Sequence, residues 1–305
     1  AALPRVAPLF VAQPGVNQVV ALTARPPATP VKQWYRTVSS WRQQHFDLAV
    51  ILPNSLGSAL EAWLAGIPHR LGYARFDRGL LLTHRVYKSP DLTALHQVYH
   101  YQGLLRPLGQ VWLDGYPQIF LKSEERQAGR RFLQAKGWQA GQPLLGLAPG
   151  AAYGPAKQWP PARFAAVADQ LQRRFQAFGV IFGGATDMAA AREVAGAMRT
   201  PVLNLAGQTD LRQALALLSH LDLLLTNDSG LMHAAAALRV PVVAIFGSTD
   251  PGRTGPFTPL ATILQHPVDC SPCFRRTCPR DYACLTAVTV EEVTAAANSW
   301  LEKTP

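Results

Sequence analysis

The chain has few charges of either sign, few cysteines, and no long apolar run. Only 16% of its 305 residues are charged, against 48% hydrophobic. That is too little charge for a disordered or fibrous chain and enough apolar material for more than one core. No stretch approaches the roughly 20 uninterrupted apolar residues of a membrane-spanning helix. The opening AALPRVAPLF lacks the basic-then-apolar layout of a secretory signal, so a cytoplasmic protein is expected. There is no internal repeat and no low-complexity tract. Long Lys/Arg blocks, zinc-finger spacings and aromatic-rich RNA-reading motifs are also missing, so the formal net charge of +10 does not point to nucleic acid. It favours other acidic partners, such as anionic lipid head groups or a phosphorylated substrate.

All four cysteines, Cys270, Cys273, Cys278 and Cys284, fall within CSPCFRRTCPRDYAC. A C-x2-C pair with two further cysteines could bind zinc or an iron–sulfur cluster. The later spacing matches no standard zinc framework, however, and free thiols in a structural loop are the plainer reading. No metal is expected, and in a reducing cytoplasm a disulfide is the weaker alternative.

From about residue 138 onward, short β-rich runs alternate with helical segments. The runs are LLGLAP (144–149), FGVIFGG (178–184), VLNLAG (202–207), LDLLLT (221–226) and VPVVAIFG (240–247). This alternation implies a doubly wound parallel sheet covered on both faces, a Rossmann-like domain. The first half is less regular but holds a similar unit: FDLAVILPNS (46–55) reads as a strand, SALEAWLAG as a helix, and HRLGY (69–73) as another strand. We therefore expect two α/β domains, 1–137 and 138–305, facing a cleft. Residues just beyond the carboxyl ends of strands become the candidates for function.

Two such turns draw notice. PGAAYGPAKQWP (149–160) carries small residues that let backbone N–H groups approach an anion, followed by Lys157 as a point charge. It is not the P-loop pattern, and a flexible loop with a solvated lysine remains open. In TNDSGLMHAAAALRVPVVAIFG (226–247), Asp228 can cap the helix that follows, with Ser229, Gly230 and His233 on one face of its first turn. Free N–H groups and the helix dipole would favour a phosphate there. Plain capping, with His233 packed on the sheet, stays open too. Asp187 in GGATDM is either another helix cap or an acceptor for ribose hydroxyls. Asn54, Ser55, His69 and Arg70 in the first half are either substrate contacts or solvated residues.

Together and in this order, LPNSLGSALEAWLAGIPHRLGY (52–73), LAPGAAYGPAKQWPPARFAAVADQL (147–171), NLAGQTDLRQALALLSHLDLLLTNDSGLMHAAAAL (204–238) and PVVAIFGSTDP (241–251) resemble the lipopolysaccharide heptosyltransferases of glycosyltransferase family 9, closest to their heptosyltransferase II type. The resemblance implies a GT-B fold and inverting transfer of heptose from ADP-L-glycero-D-manno-heptose to the heptose of the lipopolysaccharide inner core. It implies no cofactor and no obligatory metal, and a place on the anionic inner-membrane surface. By motif it assigns Lys157 to the diphosphate and the charge of the leaving group. Asp228, Ser229, Gly230 and His233 match the family's Asp-Ser/Thr-Gly-x-x-His segment around phosphates and sugar; Lys157 and Asp228 are its expected catalytic pair. Gly150 and Ala151 belong to the same donor site, Asp187 lies near the ribose position and Thr209 near the adenine. Asn54, Ser55, His69 and Arg70 are the acceptor-side candidates. Family members open with a further βαβ unit whose loop aspartate is the general base. That unit would lie before Ala1, so a chain carrying it is expected to be active and these 305 residues alone are not. Two other readings remain: a GT-B nucleotide-sugar epimerase, or a degenerate protein that binds nucleotide sugar or glycan without catalysis.

Overall fold

The computed structural model describes residues 1–22, 31–75, 77–89, 94–110 and 114–303. Contacts divide the chain into two units. The first comprises Ala1–Pro4 with Val20–Gly115, and the second Arg5–Val19 with Tyr116–Pro305.

In the first unit, β1 (Leu48–Ile51), β2 (His69–Tyr73) and β3 (His84–Val86) form a parallel sheet in that order. Helices α1 (Val31–Gln43) and α2 (Leu56–Leu64) close over it, with α3 (Gln97–Gln102) further along. Ile51, Ala59, Ala62, Ile67 and Leu82 form the core between sheet and helices. Strand β3 was not expected from the sequence, because HRV is too short and polar to show an apolar period.

The second unit carries the regular alternation. Its strands are β4 (Leu144–Ala148), β5 (Phe178–Ile181), β6 (Val202–Asn204), β7 (Leu223–Asn227), β8 (Val242–Ile245) and β9 (Ala261–Leu264). All six are parallel, in the spatial order β6-β5-β4-β7-β8-β9. Helices α4 (Ser123–Ala135), α5 (Pro161–Phe175), α6 (Met188–Ala197), α7 (Leu211–Leu218) and α8 (Gly230–Ala237) come before and between the strands. After β9 come the short α10 (Ala283–Thr286), which follows a one-turn α9 (Pro251–Thr254), and α11 (Val290–Leu301). β4, β7 and β8 are buried along their whole length. Separate apolar cores cover the two faces of the sheet, one built on Leu145, Leu147, Phe164 and Leu225, the other on Leu144, Leu215, Leu224 and Met232. Both faces being covered is why these strands read as continuous apolar runs. The chain winds outward in one direction from β4 and in the other from β7. The loops leaving these adjacent strands therefore flank the crevice where such sheets take ligands.

The expected division at 137/138 moves to Gly115/Tyr116. The reason is packing: α4 lies against α7 so closely that a Cβ on Gly129 would stand 2.9 Å from the Ala216 carbonyl oxygen. Leu133 shares a core with Leu215 and Leu218, and Arg212 is ion-paired with Glu125. Upstream, Gln13 exchanges hydrogen bonds with the backbone of Phe120 at 3.0 and 3.1 Å, tying Arg5–Val19 to the second unit as well.

Candidate active site

The two turns singled out in the sequence meet at the β4/β7 switch point, and Asn227 joins them. Its side-chain amide donates to the Pro149 carbonyl at 2.6 Å and accepts the Trp159 N–H at 3.0 Å, so it holds both ends of the 149–159 loop. Trp159 is fully buried, donates its indole N–H to the Val288 carbonyl at 3.0 Å and packs edge-on against Phe164. The loop is thus pinned at its base, and its middle is held too, the Ala156 N–H donating to the Arg276 carbonyl at 3.0 Å.

Within it, Lys157 ends a 3-10 turn, and its Nζ is ion-paired with Asp228 Oδ2. The ammonium also sits 4.7 Å from the centre of the Tyr153 ring. Asp228 Oδ2 accepts a second hydrogen bond from Thr249 Oγ1 at 2.6 Å. The side chains of Lys157 and Asp228 are only 12% and 6% exposed, so the attraction between them is poorly screened by water.

Asp228 is not the cap of α8. Ser229 takes that place, its Oγ accepting the Met232 N–H at 3.4 Å and lying 3.2 Å from Thr226 Oγ1. The capping expectation is corrected by one residue, for a physical reason: a carboxylate turned inward to an ammonium and a hydroxyl cannot also turn to the helix end. Repulsion between this carboxylate and a nearby phosphate is offset because Asp228 is already neutralised by Lys157 and hydrogen-bonded.

Ser229, next in the chain to Asp228, opens onto a cavity of about 540 Å³ whose walls also include Gly150, Ala151, Asp187, Gly230 and His233. Asp187 Oδ2 accepts the Gly184 N–H at 2.8 Å, so its turn-capping role is real, yet the same side chain faces the cavity. It approaches Gly150 so closely that a Cβ there would fall 2.2 Å from Asp187 Cγ. Thr209 is not brought in. It lines a separate cavity of about 390 Å³ with Glu125, Phe132 and Arg212.

A family model described as glycosyltransferase family 9 (heptosyltransferase) matches residues 34–283. The chain belongs to glycosyltransferase family 9. It is 34% identical over 275 residues to lipopolysaccharide heptosyltransferase 2 of Escherichia coli K12, covering 85% of this chain and 76% of the relative. It is 33% identical over 267 residues to lipooligosaccharide heptosyltransferase 2 of Haemophilus influenzae Rd, with the same coverage, 85% and 76%. Among solved structures, that of the E. coli ADP-heptose LPS heptosyltransferase II superposes with a TM-score of 0.83 at 29% identity, covering 99% of this chain and 88% of that one. The α/β GT-B fold class expected from the resemblance is the one found.

Three residues of this candidate site escaped the sequence reading: Asn227 and Thr249, which hold the loop and Asp228, and Arg5, a cation on the cavity wall. Asn227 stands in the quoted TNDS and Thr249 in GSTD, each one residue from an aspartate, and a search for polar residues around Asp228 would have found both. Arg5 carried no local signal.

The acceptor-side candidates of the family 9 chain divide. Asn54 and Ser55 follow the carboxyl end of β1, where Ser55 caps α2 by accepting the Ser58 N–H at 3.3 Å. Asn54 Oδ1 is buried and, among the described residues, has no hydrogen-bond partner. His69 and Arg70 begin β2, level with Leu48 and Ala49 at the amino end of β1. They therefore stand at the opposite edge of the sheet from Asn54 and Ser55. Arg70 is occupied in holding backbone: Nε donates to the Leu81 carbonyl at 2.7 Å and Nη1 to that of Ile67 at 2.5 Å. Arg78 was overlooked. It is fully buried at the carboxyl end of the sheet, donates from Nη1 to the Pro53 carbonyl at 2.6 Å, and leaves Nε and Nη2 without partners among the described residues. Burial pulls its pKa down from the usual arginine value.

Proposed function

We propose that this family 9 glycosyltransferase moves heptose from ADP-L-glycero-D-manno-heptose to the heptose of the lipopolysaccharide inner core, inverting the anomeric centre. The observation that carries the reading is the cavity walled by Gly150, Asp187, Ser229, Gly230 and His233 at the amino end of α8, with the Lys157–Asp228 pair, fixed by Thr249, on the two turns that supply those walls. A sugar diphosphate presents what such a place accepts. Its phosphate oxygens take hydrogen bonds from the free N–H groups of the first turn of α8 and from Ser229. Lys157 meets the charge that grows on the departing ADP, while Asp228 and Thr249 hold the ammonium in position. Asp187 is placed to accept from hydroxyls of the donor. The acceptor hydroxyl attacks the anomeric carbon, the bond to the diphosphate oxygen breaks, and a general base takes the proton.

The relatives named above as heptosyltransferase 2 support heptose as the sugar and the inner core as the acceptor. No helix among the described residues is long and apolar enough to cross a membrane. The net charge of +10 suits a cytoplasmic enzyme that meets a phosphorylated, lipid-anchored acceptor at the anionic inner-membrane surface.

The test uses protein expressed from its complete gene, incubated with ADP-heptose with and without deacylated core carrying one heptose. ADP release that requires the acceptor supports transfer. Conversion of the donor without acceptor would mean epimerase chemistry, and binding without turnover in either mixture would mean a non-catalytic protein.

A further inference from the structure

Residues 265–282 contain neither helix nor strand. A loop longer than about 12–15 residues without secondary structure of its own is uncommon inside a packed unit and needs something to hold it. Apolar anchoring lies at its ends, where Val268 and Tyr282 pack on the core, while Phe274 in its middle is 49% exposed. Hydrogen bonds fasten it to the residues after β8: Phe274 N–H donates to the Ser248 carbonyl at 2.8 Å, Ser271 Oγ to that of Gly247 at 2.7 Å and Gln265 Nε2 to that of Thr249 at 3.0 Å, leaving, among the described residues, the stretch from 275 to 281 without such ties to these strand ends.

What the loop has is sulfur. Cys270, Cys273 and Cys278 from the loop and Cys284 from α10 all line one cavity of about 110 Å³. All four are free thiols. Cys278 Sγ accepts the Arg280 N–H at 3.4 Å, an interaction that strengthens when the sulfur is a thiolate. Arg280 lines the same cavity, and its positive charge would offset sulfurs that become anionic.

We propose that Cys270, Cys273, Cys278 and Cys284 form a tetrahedral structural site for one thiophilic divalent cation, of which zinc fits best. Four sulfur ligands without an open position make a closed set, suited to fastening a fold and not to catalysis. Among the described residues, no three Cys, His, Asp or Glu side chains stand close enough to hold an ion as the loop lies. The thiols ring the cavity, and binding draws each to about 2.3 Å from the cation while releasing its proton. A loop with no helix or strand to break can make that contraction.

The loop is joined to the Lys157 turn. Arg276 O accepts the Ala156 N–H at 3.0 Å, the Tyr153 hydroxyl donates to Phe274 O, and the Arg276 guanidinium lies 5.4 Å from the Tyr153 ring centre. Gly154, at φ +144°, lets the two backbones meet: a Cβ there would fall 2.5 Å from Arg276 O. The cation therefore braces residues 153–157 from behind.

The experiment measures metal content and thiol reactivity in the purified full-length protein kept reduced. The expected result is one zinc per chain, with four thiols that react with Ellman's reagent only after chelation. Cobalt(II) added to the chelated protein should give a thiolate-to-metal charge-transfer band that Cys278→Ser abolishes or strongly weakens while circular dichroism stays native. Chelated wild type carries the same test if the variant does not fold. Equal thiol reactivity with and without added zinc, or no metal retained after reconstitution, would overturn the site. None of these readings depends on heptose transfer, so failure of the transfer assay leaves them standing.

Discussion

Replacing Lys157 by Met leaves the Asp228 carboxylate, 6% exposed, with Thr249 as its remaining hydrogen-bond donor in the site. Breaking a buried ion pair from one side costs about 3–5 kcal/mol, because the stranded charge has lost its counter-ion without regaining water. The retained Thr249 bond and the partial exposure of the lysine position lower this to about 2–4 kcal/mol. For a unit of this size that is roughly 4–16 °C in Tm. The double variant Lys157→Met/Asp228→Asn has no stranded charge, and Thr249 can still donate to the amide oxygen, so most of the lost stability should return. Turnover should not: with the cation gone, kcat falls by roughly 10²–10³-fold, the usual effect of removing one group that stabilises developing anionic charge. Thermal and urea denaturation of the single and double variants, alongside donor turnover, separate the two roles. The reasoning is refuted if the double variant is as unstable as the single one, or if the single variant keeps wild-type turnover.

Gly150→Ala puts a methyl group where Asp187 Cγ now lies, so Asp187 must leave the Gly184 N–H; we expect KM for the donor to rise with about 1–3 kcal/mol of destabilisation, read by kinetics and melting. Ser229→Ala removes the α8 cap and should cost about 0.5–2 kcal/mol in urea denaturation. The Arg212 guanidinium bonded to Glu125 holds its carboxyl below the usual range, against a smaller upward push from burial. A depressed carboxylate stabilises the fold above its ordinary value, about pH 4.3, and that contribution disappears as pH falls through the lower folded value. Glu125→Gln should therefore be less stable than wild type at pH 7, with the difference shrinking as pH falls below the ordinary carboxyl range and through the lowered folded value, in denaturation measured across pH; a constant difference would discount the ion pair.

Much of the second unit was legible in the sequence because burial on both faces leaves unbroken apolar runs, which is how β4, β7 and β8 announce themselves. Helix α5 appears as the run PARFAAVADQLQRRF, the 161–175 of the structure. The unit boundary was not legible, since nothing in α4's own periodicity says that its apolar face meets α7 and not the preceding sheet. Gly129 was the available sign, a small residue at a helix contact. At the site, spacing brought Ser229, Gly230 and His233 to one face correctly, and strand ends brought both loops together. Which oxygen caps α8 was decided by tertiary partners: Lys157 and Thr249, distant in sequence, claim Asp228 and leave the cap to Ser229. The edge on which His69 and Arg70 stand was lost because strand direction, parallel to β1, was not carried through to the position of each residue.

The most direct test of a donor site in the second unit is calorimetric titration of ADP-heptose into wild-type protein and into Ser229→Ala and Asp187→Ala. One saturable site per chain is expected, with binding weakened by roughly tenfold or more in each variant, as the loss of a charge-assisted or cavity-facing hydrogen bond implies. Absence of binding to the wild type, or equal affinity in all three proteins, would contradict it.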